Sequence, residues 1–191
     1  MQEVRNNIIR QNYHEESEAA INRHLNLTMY ASYTYLSMSA YFGRADIAVP
    51  CAQEFFKRAH EEEQAHVWKL IKFQNMRGGL VVLQDVVKPD RDEWGSLLEA
   101  IGNSLEIEKK VNQSLLDLHA IADRHGDAQM CEWIGANFLT NQVLTIEELG
   151  NHITQLRRVG PGLGEYIYDK ESLCNPQCLC DRRQPPKCSC K

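Results

Sequence analysis

The sequence predicts an all-α protein: a bundle of four long helices with one long crossover between the second and third, a short fifth helix and a Cys-rich C-terminal tail. Three observations carry this. Four stretches repeat apolar residues in steps of three and four, which is the spacing of one helical face. One β-branched stretch, residues 80–92, lacks that period, and no other stretch offers it a strand partner. Gly and Pro are sparse until the last thirty-odd residues. We expect two units, a bundle over residues 1–173 and a tail over 174–191.

The first helix is expected over residues 14–42, with Ile21, Leu25, Thr28, Ser32, Tyr35, Ser39 and Phe42 on one face. Gly43-Arg44-Ala45-Asp46 breaks it, and Asp46 is the expected cap of the next helix. That helix spans 49–77, with Pro50 in its first turn, where the missing N–H costs little, and Gly78-Gly79 as its stop. A third helix starts near Asp92 and runs to about residue 124, with Leu97, Ile101, Ser104, Glu108, Val111, Leu115, Leu118 and Ala122 on its stripe. Glu106 and Lys110 lie off that stripe as an expected surface pair. His125-Gly126-Asp127 turns the chain into a fourth helix over 128–158, with Ile134, Phe138, Gln142, Thr145, Leu149, His152 and Leu156 facing inward. Gly160-Pro161-Gly162 ends it, and residues 163–173 form a short amphipathic fifth helix. The tail is too rich in Pro, Cys and charge to pack as a helix.

The second helix is where the chemistry begins. Its stripe reads Phe56, Ala59, Glu63, His66, Leu70 and Phe73. A carboxylate and an imidazole thus occupy positions where a packed core takes Leu. Burying an unpartnered carboxylate costs several kcal/mol, so something must compensate it. Tyr35, Glu108 and Gln142 add polar members from the other three helices. A bound cation reverses the cost of burying them together, and oxygen ligands with one imidazole suit Fe(II) or Zn(II). Glu63 is placed to bridge two ions, with His66 on one and Glu108 on the other. Glu62, one residue off the stripe, is within reach of the second ion, and Tyr35 is placed to orient a ligand.

The 191 residues allow one domain with a full core. Hydrophobic residues are 43% and charged ones 25%, ordinary for a globular protein. A net charge of −5 argues against nucleic acid or anionic membranes as partners and suits a handler of cations. No apolar run approaches a membrane span, and residues 1–7 lack an apolar signal core, so a cytoplasmic location is expected.

These residues resemble a eukaryotic ferritin of the heavy, ferroxidase-bearing type. The matching stretches include Arg10-Gln11-Asn12-Tyr13-His14, Tyr30-Ala31-Ser32-Tyr33, Arg77-Gly78-Gly79, Val111-Asn112-Gln113-Ser114-Leu115-Leu116 and Glu148-Leu149-Gly150, within a likeness covering about residues 10–173. The resemblance implies a ferritin-like bundle that assembles into an octahedral cage of about two dozen subunits and stores ferric mineral. It implies a dinuclear Fe(II)/Fe(III) centre on Glu63, His66, Glu108 and Gln142, with Glu62 and Tyr35 beside it, and dioxygen as the oxidant.

The sequence also departs from that family. Thr28 stands where catalytic subunits carry a further ligand Glu, which predicts slower oxidation of Fe(II). A threefold channel is expected at Glu132, His119 and Cys131, but Gly135 replaces its second acidic ring. The turn before the fifth helix is shorter than usual for the family. Cys174, Cys178, Cys180, Cys188 and Cys190 crowd the tail, where thiolates at i and i+2 suit Zn or Cu(I), or remain reduced or disulfide-bonded. The alternative to an active ferroxidase is a catalytically weak structural subunit that co-assembles with an active chain.

Overall fold

A computed structural model of the protein describes residues 7–174. The first helix is Glu15–Phe42, the second Pro50–Met76 and the third Leu97–Arg124. The fourth is Ala128–Ile134, a π-helical turn at Gly135–Leu139, then Thr140–Val159. The terminal helix is Leu163–Tyr168 with a second π-helical turn at Asp169–Leu173. Among the described residues there is no strand, and none of the helices is long and apolar enough to cross a membrane.

The crossover sets the topology. It leaves the end of the second helix at Gly79 and lies along the first helix, strapped by side-chain bonds. Asn22 Nδ2 donates to Leu80 O at 3.0 Å, and Asn26 Nδ2 donates to Asp85 O at 3.1 Å. Further on, Trp94 Nε1 donates to Ser37 Oγ at 3.1 Å, and Tyr41 Oη donates to Gly95 O at 3.2 Å. The strap therefore runs from the start of the first helix to its end. The second and third helices consequently begin at the same end of the bundle and run parallel, as a long crossover requires.

The helix ends show where local sequence decides and where it does not. His14 caps the first helix by accepting from Glu16 N, and Ser96 forms a capping box with Glu99 at the start of the third. The expected start of that helix near Asp92 is thus a few residues early. Asp92 instead accepts from Lys88 Nζ at 2.6 Å. The expected Asp46 cap is also corrected: Asp46 pairs with Arg44, and Val49 at the cap position makes no side-chain bond. The second helix is capped from far along the chain, by Asp169 accepting from Ala52 N at 2.8 Å. Glu106 pairs with Lys109 at 3.2 Å, not with Lys110.

Two apolar clusters fill the bundle. One gathers Met38, Phe42, Phe56, Leu97, Ile101, Leu149, Leu156 and Tyr168. The other gathers Ile21, Leu25, Leu70, Phe73, Leu115, Leu118, Met130 and Phe138. Burying a Leu or Phe side chain contributes about 1.5–3 kcal/mol, so these clusters supply the surplus that sustains a polar belt between them. At the far end Arg77 donates to both carboxylate oxygens of Asp127, at 3.0 and 2.9 Å, joining the second helix to the start of the fourth.

The cysteine expectation changes. Cys174 is disulfide-bonded to Cys51 across 123 residues of sequence, with Cα atoms 5.1 Å apart. It is therefore not a soft-metal ligand of the tail, and Cys51 does not stand alone. Sequence distance hid the pair. Cys178, Cys180, Cys188 and Cys190 lie outside the described residues.

Candidate metal centre

Between the two apolar clusters the four helices turn polar side chains inward at one level. Tyr35 comes from the first helix, Glu63 and His66 from the second, Glu108 from the third and Gln142 from the fourth. Tyr35, Glu63, Glu108 and Gln142 are all buried, while His66 keeps one edge exposed. Each lies on its helix stripe in step with buried apolar neighbours, which is why the fold places them together.

Glu108 is fully engaged. Tyr35 Oη donates to its Oε1 at 2.5 Å, and Gln142 Nε2 donates both to its Oε2 and to its backbone carbonyl at 3.1 Å. Burial, then the nearby Glu63 carboxylate, push the Glu108 carboxyl up to about 7. Burial and Glu108 likewise push the Tyr35 phenol well above its ordinary range, so it stays a donor.

Glu63 differs. Its Oε1 lies 3.1 Å from His66 Nδ1, but its Oε2 is buried without any hydrogen-bond partner in the protein. Against an ionised Glu63 the Nδ1 of His66 carries the hydrogen, leaving Nε2 its lone pair for a metal. A buried carboxylate oxygen without a protein donor is chemically able to take a cation. The donor set is three carboxylate or amide oxygens and one imidazole, within the preference of Fe(II).

Thr28 is buried, and its hydroxyl donates to His24 O one turn back at 2.9 Å, so it is spent on its own helix. Glu62 is exposed on the neighbouring face of the second helix.

One buried residue escaped the sequence reading. His24 lies one turn before Thr28 and bonds Ser114 Oγ through Nδ1 at 2.9 Å. Burial, then His66, depress its imidazole to about 4, so it is neutral. The His24 and His66 rings both meet Phe138 edge-on, at 6.4 and 5.4 Å. Its signal in the sequence was the four-residue step to Thr28. Phe138 itself sits in the π-helical turn Gly135–Leu139. That turn interrupts the helix expected to run unbroken, and π-turns are frequent beside functional sites.

The residues expected at a channel fall together in part. Cys131 is a free, half-buried thiol whose Sγ approaches His119 O at 3.9 Å, and Glu132 is exposed on the same turn. Burial, then Asp123 and Asp127, raise the Cys131 thiol, so it is not a reactive thiolate. A cluster not foreseen from sequence joins His14, Glu16 and half-buried His125 at the surface, their ligand atoms within 4.8 Å of one another.

Residues 18–159 match the Ferritin-like domain family. The chain is 59% identical over 164 residues to the soma ferritin of Lymnaea stagnalis, covering 86% of this chain and 94% of that one. It is 51% identical over 166 residues to the ferritin heavy chain of Echinococcus granulosus, covering 87% and 96%. It is 51% identical over 168 residues to the middle ferritin subunit of Aquarana catesbeiana, covering 86% and 96%. A helical bundle with a buried carboxylate–imidazole belt, matched along most of its length by these proteins, places the chain in the ferritin family of iron-storage subunits.

Proposed function

We propose that the chain is a ferroxidase subunit: it takes up Fe(II), oxidises it with dioxygen at a dinuclear centre in the bundle and passes it to a ferric mineral inside a cage of about two dozen subunits. The observation that carries this is the buried, unpartnered Glu63 Oε2 beside His66 and Glu108. Fe(II) is the substrate, and each ion supplies one electron to dioxygen. Glu63 holds the ions between the second and third helices, with His66 Nε2 on one and Glu108 on the other. Gln142 and Tyr35 keep Glu108 oriented, and its carboxyl at about 7 gives up its proton as the cation arrives. Glu62 is assigned to ions in transit. The centre is weakened by Thr28, whose hydroxyl is neutral and already committed to His24 O.

A structural subunit that co-assembles with a more active chain is the second reading, and Thr28 favours it. Retention of the buried Glu63, His66, Glu108 and Gln142 favours ferroxidase, since burial of unused carboxylates is costly. Initial-rate Fe(II) oxidation in air by the homo-oligomer, against a Glu63→Ala, His66→Ala double variant, decides. Equal rates in the two proteins leave only the structural role.

Glu132, His119 and Cys131 are assigned to a channel between subunits, with weak cation steering because Gly135 carries no charge. The four cysteines beyond residue 174 are assigned to Zn or Cu(I), and metal analysis of full-length against tail-truncated protein tests that. We assign the chain to the cytoplasm. The Cys51–Cys174 bond counts against this, because structural disulfides persist mainly in oxidising compartments. Mass spectrometry of alkylated, unreduced protein from cells resolves the two.

A further inference from the structure

One imidazole away from that belt is buried with a ring nitrogen that makes no hydrogen bond. His152 lies on the fourth helix and is only 2% exposed. Its Nδ1 is 2.6 Å from Tyr168 Oη, and that hydroxyl donates onward to Gln155 Oε1 at 2.8 Å. Since the phenol hydrogen goes to Gln155, the hydrogen between His152 and Tyr168 belongs to Nδ1. The lone pair of a neutral His152 is therefore on Nε2. This nitrogen is buried and makes no hydrogen bond to the protein. The atom it faces is Glu148 Oε1, 3.7 Å away and one helical turn earlier.

We propose that Glu148 and His152 form a second divalent-cation site, mononuclear, for a borderline ion such as Zn(II) or Fe(II). An ion about 2.1 Å from each atom fits the observed gap of 3.7 Å between nitrogen and oxygen with an open angle between its two ligands. An imidazole whose other ring nitrogen donates to a fixed acceptor is the arrangement metal-binding histidines use, because it sets the tautomer and the ring plane. Here Tyr168 is that acceptor, and the edge of Phe55, its ring centroid 5.5 Å from that of His152, restrains the imidazole. Glu148 is about one-third exposed, which opens the ion to water for its remaining positions. Gln142 lies six residues before Glu148 and ten before His152 on the same helix, about 9 and 15 Å by helical rise. The two sites therefore share no ligand, and this site does not depend on the ferroxidase reading.

Full-length, assembled protein soaked in Zn(II) tests the site by anomalous diffraction. A peak is expected between His152 Nε2 and Glu148 Oε1, retained in the Glu63→Ala, His66→Ala variant. Glu148→Gln, which keeps the shape of a partly exposed side chain, is expected to abolish that peak and to weaken one class of Zn(II) binding at least about tenfold in titration calorimetry. Tyr168→Phe is expected to weaken the same class without removing it. Density that scatters only as water, or a peak unchanged in Glu148→Gln, overturns the proposal.

Discussion

Glu108 and Glu63 lie in one polar belt, yet the fold treats its two halves in opposite ways. On the Glu108 side, a tyrosine hydroxyl and a glutamine amide satisfy the carboxylate. On the Glu63 side, one oxygen meets His66 and the other meets no donor, while the first helix contributes a threonine turned toward its own backbone. One half is complete as a protein structure; the other leaves a buried carboxylate oxygen without a protein partner. The contrast explains how an iron-free chain folds around buried acids. The fold satisfies one of them internally and tolerates the cost of the other, which a few kcal/mol of surplus apolar burial offsets.

The most direct way to break the contrast is to empty the incomplete half. Glu63→Ala with His66→Ala is expected to slow initial Fe(II) oxidation about a hundredfold, as loss of metal ligands does. The same variant should leave the cage intact by light scattering. Completing that half comes next. Thr28→Glu is expected to raise the stopped-flow oxidation rate about tenfold, since it adds the missing anionic ligand. An unchanged rate would show that the first helix does not limit the chemistry.

The satisfied half should respond less. Tyr35→Phe removes one donor to Glu108 and is expected to cost about 1 kcal/mol in denaturant unfolding of the iron-free protein. If Glu108 were held by Gln142 alone, that loss would not be seen.

The smallest effect is a pH slope. The folded Glu108 carboxyl lies near 7 against an ordinary 4.5, so the folded state holds its proton longer. That contribution to stability is full below about 4.5 and is lost as pH rises to 7. His24 acts oppositely: depressed from 6.5 to about 4, it contributes above 6.5 and loses this as pH falls. Thermal unfolding of iron-free protein should therefore show a declining Tm above pH 6.5, where of these two groups Glu108 alone still changes. Glu108→Gln should abolish that decline and uncover the His24 rise below pH 6.5, which Glu108 otherwise offsets. Parallel profiles for the two proteins would remove Glu108 as its source.

Much of the belt was legible in the sequence because helical periodicity assigns a face to every residue. Glu63, His66, Glu108, Gln142 and Tyr35 interrupt otherwise apolar stripes; His66 is partly buried and the other four are buried. His24 escaped notice because the pattern was followed through Leu25 and Thr28, and a histidine beside them looked like one more member of the helix. His152 was read as a stripe residue. Its significance lies in which ring nitrogen Tyr168 engages, and no spacing encodes that. The cap of the second helix was misassigned to Asp46 because a nearby acid is the ordinary solution, whereas Asp169 reaches it from 117 residues away.

By itself the sequence determined the number of helices, their buried faces, the crossover and the inward acids, because these follow from a local period and from turn residues. Tertiary structure alone decided which carboxylate oxygen stays without a donor, which half of the belt is satisfied, where the disulfide closes and where the fourth helix widens into a π-turn. Those outcomes depend on distances between atoms far apart in the chain. A one-dimensional pattern fixes direction around a helix axis but not the separation between axes.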